Sequence, residues 1–197
     1  MAVFHRRQHL GKDYFMEHVL DVKKLVNELT LEEKASLCSG ADFWHTKAID
    51  RLNIPAAMVS DGPHGIRKQE SLADHMGVAE SIKAIGFPTA SAMACSFDRD
   101  LLHKVGDALG EECVAEDLAV LLGPGINMKR SPICGRNFEY YSEDPVVAGE
   151  LGAAFVNGVQ EHGVGTSLKH FAANNQEWRR MSISAETVSY THLTLPT

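Results

Sequence analysis

The chain has 197 residues and a net charge of −7, with 44% hydrophobic and 23% charged side chains, as in an ordinary globular protein with one core. The negative charge and the lack of a basic run with interleaved aromatic residues exclude a nucleic-acid surface. No apolar run reaches the ~18 residues that a membrane helix requires, and the first 15 residues lack the apolar core of a secretory signal. We therefore expect no nucleic-acid or membrane partner and a cytoplasmic location, and we leave the oligomeric state open.

Four cysteines are spread along the chain without a Cys-x-x-Cys pair, which favours buried free thiols in a reducing compartment. We see no metal-ligand spacing, no phosphate-binding loop, no Gly-x-Ser-x-Gly motif and no His-Glu-x-x-His motif. The sequence therefore predicts no metal and no cofactor.

The first predicted helix begins at Thr30, because Thr30-Leu-Glu-Glu33 has the pattern of a capping box, and it ends near Gly40. A buried strand is predicted over 55–60, running into the tight loop that starts with Asp61-Gly62-Pro63. A second helix starts at Asp98. Its apolar face is predicted to contain Leu101, Val105, Leu109 and Cys113.

A second strand is predicted over 118–122, where the turn Gly123-Pro124-Gly125 ends it. Asp144-Pro145 then opens a third helix, which Gly163 ends. The apolar stripe of this helix is predicted to contain Val147, Leu151, Phe155 and Val159. A third buried strand is predicted over 164–171, and an amide- and acid-rich loop follows it at once.

Apolar strands that alternate with amphipathic helices predict a parallel sheet covered by helices. The polar clusters around Asp61, Arg136 and Lys169 each follow a predicted strand, at the edge where such folds bind ligands. A closed (β/α)8 barrel takes about 250 residues. We therefore expect an α/β fold that is either an open sheet or an incomplete (β/α)8 TIM-barrel-type domain.

Several residues in these loops are candidate ligands, and each also has a simpler interpretation. Asp61 either binds a ligand or closes its own turn, and His64 is expected to pack in the loop. Arg67 offers a fork of donors or is merely solvated, and Arg136, which follows Gly135, either binds a ligand or pairs with a nearby glutamate.

Lys169 and His170 supply donors suited to sugar hydroxyls, although a desolvated Lys169 would instead suit Schiff-base chemistry. Arg179 and Arg180 either both face solvent, or one of them points into the ligand-binding cleft. A buried charge needs a partner or a ligand, so Lys169 and His170 are the stronger indication of a site.

Three stretches carry a resemblance to a known family: SDGPHGIR from Ser60, LLGPGINMKRSPICGRNFEYYSEDP from Leu121, and GVGTSLKHFAANNQEWRR from Gly163. They resemble the N-terminal domain of glycoside hydrolase family 3, in its β-glucosidase branch, from about residue 22 to 186, and residues 1–21 are expected to be an N-terminal extension. The resemblance implies a (β/α)8-type barrel and a retaining exo-glycosidase acting on terminal β-D-glucosyl residues of a glucoside or oligosaccharide. It also implies that the terminal sugar is bound by Asp61, Arg67, Arg136, Lys169, His170 and Arg180.

The departures from the family pattern concern catalysis. The family's nucleophile is an Asp in a Ser-Asp-Trp motif, and its acid/base Glu in this branch lies in a second domain; neither motif occurs here. Ser60-Asp61 is followed by Gly62 rather than Trp. We therefore expect no catalytic residue in this chain, no glycosidase activity from it alone, and poor solubility. Residues 187–197 are expected to be a non-native, adaptor-like tail.

Two other functions stay open from the sequence. The chain would also suit a non-catalytic sugar-binding module, or a barrel lyase that uses Lys169 as a Schiff base.

Overall fold

A computed structural model describes residues 21–69 and 81–184, which fall into two compact units, 1–57 and 58–197. Almost all of the predicted N-terminal extension and the whole of the predicted tail lie outside the described residues. The proposed domain limits of 22 and 186 therefore stay a prediction.

The first unit is organised around a capped helix. Helix α1 covers Val22–Glu28, helix α2 covers Leu31–Leu37, and a short 3-10 turn covers Asp50–Leu52. The predicted capping box is confirmed: the Glu33 amide donates to Thr30 Oγ1 at 3.2 Å, and the Thr30 amide donates to Glu33 Oε2 at 2.8 Å. Helix α2 ends at Leu37, three residues before Gly40.

The second unit contains a three-stranded parallel sheet in the order β1-β2-β3. Strand β1 is Val59–Asp61, β2 is Val120–Leu122 and β3 is Gly165–Thr166. Helices α3 (Ala90–Ala94) and α4 (Arg99–Ala115) lie between β1 and β2 in the chain. A 3-10 turn (Asn137–Glu139) and helix α5 (Pro145–Gln160) lie between β2 and β3. The predicted alternation of parallel strands and helices is confirmed.

Both long helices begin where the sequence predicts. Asp98 accepts the amides of residues 100 and 101 at 2.9 and 3.1 Å, and Asp144 accepts those of residues 146 and 147 at 2.7 and 3.2 Å. Helices α4 and α5 pack on each other and bury Leu102, Leu109, Phe155 and Val159 completely.

One residue of the predicted α4 stripe is wrong: Leu101 is 40% exposed, and Leu102 takes its place in the core. The reason is helical geometry. Each step of four residues turns the helix by about 400°, so three such steps back from Cys113 drift by about 120°. A residue eleven positions back is only about 20° out of line, and that residue is Leu102.

The predicted strand over 164–171 is also largely wrong, because β3 ends at Thr166. Leu168 is 55% exposed and Phe171 is fully exposed, so neither belongs to a buried strand. Beyond β3 the backbone follows the turn after β2 instead: the Lys169 amide donates to the Pro124 carbonyl at 3.1 Å, and the Ile126 amide donates to the Lys169 carbonyl at 2.8 Å. The first strand is likewise shifted, to Val59–Asp61 from the predicted 55–60.

Gly125 allows this close approach. It forms parallel bridges to Lys169 on one side and to Tyr140 on the other. A Cβ at position 125 would lie 2.5 Å from the Glu139 carbonyl oxygen, so a side chain would push these two loops apart. The turn therefore brings the segments around Tyr140 and Lys169 to the same end of the sheet.

Candidate functional site

The candidate site lies at the carboxyl ends of the three strands, as the sequence predicts. Asp61 is the last residue of β1, Lys169 follows β3 by three residues, and Arg136 lies in the long loop after β2. In parallel α/β folds this edge binds ligands because the loops that leave the strands converge there.

Asp61 and Lys169 form an ion pair across 108 residues of sequence: Lys169 Nζ donates to Asp61 Oδ1 at 2.6 Å. The Lys169 side chain is 14% exposed and that of Asp61 is 36% exposed. Burial by itself would raise the pKa of Asp61, but the hydrogen bond and the charge of Lys169 outweigh it, so the pKa lies below its usual value. The Asp61 carboxylate therefore stays charged at neutral pH and can accept from a ligand hydroxyl.

Arg136 is held by Glu139, a residue that the sequence left as a possible partner. Its guanidinium donates through Nε and Nη2 to the two carboxylate oxygens of Glu139, the second bond being 2.9 Å long. Glu139 is 7% exposed, so this forked pair satisfies a buried charge. Gly135 plays no part in a close approach, because a Cβ there would meet nothing within 4 Å.

His170 is bonded at both ring nitrogens. Nε2 lies 2.9 Å from Arg136 Nη2, and Nδ1 lies 2.6 Å from the Tyr140 hydroxyl oxygen. Burial and the neighbouring charges of Arg136 and Lys169 lower the pKa of His170 below its usual value, so the ring is neutral at pH 7.

Glu177 links the remaining cation to this group. Its Oε2 accepts from Arg180 Nη1 at 3.1 Å, its Oε1 accepts from Asn174 Nδ2 at 2.9 Å, and Arg136 Nη1 lies 3.6 Å from Oε1. An open cleft of about 680 Å³ lies beside these groups. Its lining includes Arg136, His170, Glu177, Trp178 and Arg180.

The structure thus brings together five of the six residues expected to bind a sugar, Asp61, Arg136, Lys169, His170 and Arg180. The sixth, Arg67, has an exposed side chain that makes no hydrogen bond with the residues that the structure describes. Its own amide donates to the Asp61 carbonyl at 3.0 Å, so the loop lies beside the site. His64 packs in that loop as expected, where its Nε2 accepts the first amide of α3 at 2.9 Å.

Sequence reasoning missed four residues that organise the site: Asn127, Tyr140, Asn174 and Glu177. Asn127 pairs with the backbone of Asn174 in both directions, accepting its amide at 2.9 Å and donating to its carbonyl at 3.0 Å. The only sequence signal for this network was the amide- and acid-rich composition of the loop after His170. That signal names no partner, because the contacts of Asn127 with Asn174, of Tyr140 with His170 and of Tyr140 with Asn174 join residues at least thirty positions apart.

These groups suit a ligand rich in hydroxyls. Each hydroxyl both donates and accepts a hydrogen bond, and the site offers carboxylate acceptors next to ammonium and guanidinium donors. Within 21–69 and 81–184 no group of three or more His, Cys, Asp or Glu side chains is arranged to hold a metal ion. No helix in those ranges is both long and apolar enough to cross a bilayer.

The fold and the site together define a class: a parallel α/β domain of the barrel-enzyme type, with its polar ligand groups gathered at the carboxyl ends of the strands. Residues 23–180 match the glycosyl hydrolase family 3 N-terminal domain, and the chain belongs to that family. The predicted class, an incomplete (β/α)8 TIM-barrel-type α/β domain, is confirmed by this match and by the solved structures below.

The chain is 59% identical over 164 residues to thermostable beta-glucosidase B of Acetivibrio thermocellus. The aligned residues cover 83% of this chain and 22% of that protein. It is 53% identical to an exo-alpha-(1->6)-L-arabinopyranosidase of Bifidobacterium longum, over 81% of this chain and 21% of that protein. The chain therefore spans about a fifth of the length of these relatives.

Two solved structures have the same fold. The family 3 β-glucosidase of Bifidobacterium adolescentis superposes with a TM-score of 0.71 at 52% identity, over 81% of this chain and 22% of that one. The β-glucosidase of Kluyveromyces marxianus in complex with glucose superposes with a TM-score of 0.73 at 44% identity, over 80% and 18%.

Proposed function

We propose that this chain forms the sugar-binding part of a retaining β-glucosidase that removes terminal β-D-glucosyl residues. The Asp61–Lys169 ion pair carries the proposal, because it places an acceptor and a donor together at the strand ends, beside Arg136 and His170. Family membership and relatives that are named β-glucosidases support it. The six residues Asp61, Arg67, Arg136, Lys169, His170 and Arg180 are proposed to contact the hydroxyls of the terminal sugar.

Cleavage by a retaining glycosidase requires two carboxyl groups about 5–5.5 Å apart, one as nucleophile and one as acid/base. The three carboxylates of the described site, Asp61, Glu139 and Glu177, are each bound by a cation. An ion-paired carboxylate is a poor proton donor, and Asp61 has a lowered pKa rather than the raised pKa of a general acid. We infer that this chain binds the sugar and does not cleave the glycosidic bond.

Two measurements test this proposal on the 197-residue chain. Calorimetric titration with glucose should show binding that Lys169→Met removes and that Lys104→Met, on an exposed part of α4, leaves unchanged. An aryl β-D-glucoside should not be hydrolysed. Failure of the folded chain to bind glucose would overturn sugar binding, and turnover of the aryl glucoside by purified chain would overturn the inferred lack of cleavage.

The arabinopyranosidase relatives favour a second candidate substrate. α-L-Arabinopyranosides present a six-membered ring with a similar set of hydroxyls and without the hydroxymethyl group of glucose. Competition between free L-arabinose and D-glucose in the same titration separates the two candidates, since the preferred sugar displaces the other at the lower concentration.

The ion pair counts against the lyase alternative. A Schiff-base lysine must present a free amine to a carbonyl, whereas Lys169 Nζ is engaged by Asp61 Oδ1 at 2.6 Å. Borohydride trapping with a carbonyl substrate should therefore label Lys169 no faster than an exposed lysine.

We also propose a cytoplasmic location. All four cysteines are free, and two of them, Cys38 and Cys95, are exposed, which suits a reducing compartment. Fractionation of the source cells tests this proposal, and recovery of the chain outside the cytoplasm would contradict it.

A further inference from the structure

The two ring nitrogens of His170 have different protein partners, a guanidinium at Nε2 and a phenol hydroxyl at Nδ1. Arg136 Nη2 lies 2.9 Å from Nε2, and the Tyr140 hydroxyl oxygen lies 2.6 Å from Nδ1. A guanidinium carries N–H donors and no acceptor, so the bond to Arg136 exists only if Nε2 carries a lone pair.

That requirement fixes the proton on the other nitrogen. A neutral imidazole has one N–H, and with Nε2 as acceptor the proton lies on Nδ1 and is donated to the Tyr140 oxygen. We propose that Tyr140 is a positioning residue of the sugar site, holding His170 in the Nδ1–H form with Nε2 directed to Arg136. The proposal rests on the proposed function only in treating His170 as a sugar ligand.

The Tyr140 side chain is held in place by burial and by hydrogen bonds. Its side chain is completely buried, so it does not reach the cleft surface and acts only through His170. Asn174 Nδ2 donates to the same hydroxyl at 2.8 Å, and Asn127 in turn fixes Asn174 through its backbone. The Tyr140 and His170 rings meet edge-on, with centroids 5.8 Å apart and planes at 89°.

The arrangement has a chemical consequence for the ligand. With the proton held on Nδ1, any hydroxyl that reaches Nε2 must donate its own hydrogen there. Because Nε2 has a single lone pair, such a hydroxyl replaces Arg136 as the donor to that nitrogen, and its oxygen then accepts from the released N–H of the guanidinium. The Tyr140 hydroxyl thereby supports, without contact with the ligand, the direction of hydrogen bonding that Arg136 imposes on His170.

Nitrogen-15 NMR of the histidine rings tests the proposal on the whole chain. The His170 signals are identified as those that disappear in the variant His170→Gln. The wild-type ring should show the neutral Nδ1–H form at pH 7, with an Nδ1 proton protected from exchange with water. Tyr140→Phe keeps the ring contact and removes the acceptor, so this protection should disappear. Tyr141→Phe removes the neighbouring buried hydroxyl, which is not bonded to His170, and should leave the His170 signals unchanged.

Glucose affinity supplies the functional readout. Loss of one positioning hydrogen bond should weaken binding by about fivefold in Tyr140→Phe and leave Tyr141→Phe within about twofold of wild type. Asn174→Ala, which removes the second partner of the hydroxyl, should shift the His170 signals in the same direction if Tyr140→Phe does not fold.

Each outcome has one meaning. An Nε2–H form or an imidazolium in the wild-type chain overturns the proposal, and so does an unchanged, protected Nδ1 proton in Tyr140→Phe. If the Nδ1–H form is found and glucose does not bind, the positioning role stands and the sugar-binding function fails.

Discussion

The Asp61–Lys169 pair shows how one contact joins two distant strand ends and also prepares a ligand site. Its partners are 108 residues apart, yet neither has another ion-pair partner among the residues that the structure describes. Removing one partner leaves the other half-buried and unpaired, which is the costly part of breaking such a pair.

We predict that Asp61→Asn destabilises the chain by about 1 kcal/mol at pH 7, a modest loss because the Asp61 side chain is partly exposed. The folded pKa of Asp61 lies below the unfolded value of about 3.9. Stability from ionised Asp61 is therefore present above the unfolded pKa and is lost as the pH falls through the folded pKa. Urea unfolding at several pH values should show the difference between variant and wild type shrinking below about pH 4.

Glu111→Gln is the control, because Glu111 is exposed on α4 and has no ion pair within the described ranges. It should leave the free energy of unfolding and its pH dependence unchanged. A difference between Asp61→Asn and wild type that is the same at pH 7 and at pH 3 would show that Asp61 does not contribute through its charge.

At the scale of single residues, the sequence predicted well which residues belong to the site and predicted their partners poorly. The positions of Asp61, Arg136 and Lys169 after strands were enough to predict a shared site. The pairing of Asp61 with Lys169 was not foreseen, and the contacts of Tyr140 with His170 and Asn174 were missed. Such partners depend on where the loops after different strands meet, and local pattern carries no information on that.

At the scale of elements, the packing of α4 on α5 depends on two glycines. A Cβ at Gly106 would lie 2.2 Å from the Phe155 carbonyl oxygen, and one at Gly158 would lie 2.2 Å from the His103 carbonyl oxygen. The two helix backbones therefore touch directly, and this close contact buries Leu109 and Phe155 completely.

We predict that Gly158→Ala destabilises the chain by about 2 kcal/mol, because the added methyl group would force the helices apart. Gly149→Ala, on the same helix and in open space, should stabilise it by about 0.5–1 kcal/mol through helix propensity. Thermal unfolding followed by circular dichroism measures both. Equal effects of the two substitutions would show that the close helix contact does not limit stability.

The helices were predicted well because capping residues and the 3.6-residue period are local signals. Asp98 and Asp144 fixed the starts of both long helices, and in their predicted apolar faces Leu101 failed through accumulated drift in the four-residue spacing. The short helices α1 and α3 were not predicted. The strands were predicted less well: β3 has two residues instead of eight, since the backbone of Lys169 bonds to the turn after β2 rather than continuing the sheet. Sequence does not distinguish a buried strand from an apolar segment that leaves the sheet.

At the scale of the second unit, the described surface carries large apolar side chains beside the cleft. Phe171 is fully exposed, Met181 is 91% exposed and Trp178 is 66% exposed. Among the residues that the structure describes, β1 and β3 are each paired on one side only. Exposed apolar groups and strand edges promote association, so the poor solubility expected from the sequence stays a prediction to be tested.

We predict that the purified chain self-associates with increasing concentration, and that Phe171→Ser weakens the association because it removes a fully exposed aromatic ring. Sedimentation velocity at low and high concentration measures the effect. Val146→Ser is the matched control, since Val146 is an exposed apolar residue on α5, 68% accessible and outside the cleft lining, and it should not change the association. A wild-type chain that sediments as a monomer at the highest soluble concentration would show that this apolar surface does not drive association. An equal response to the two substitutions would instead show that the association is non-specific, because only contacts centred on the cleft distinguish residue 171 from residue 146.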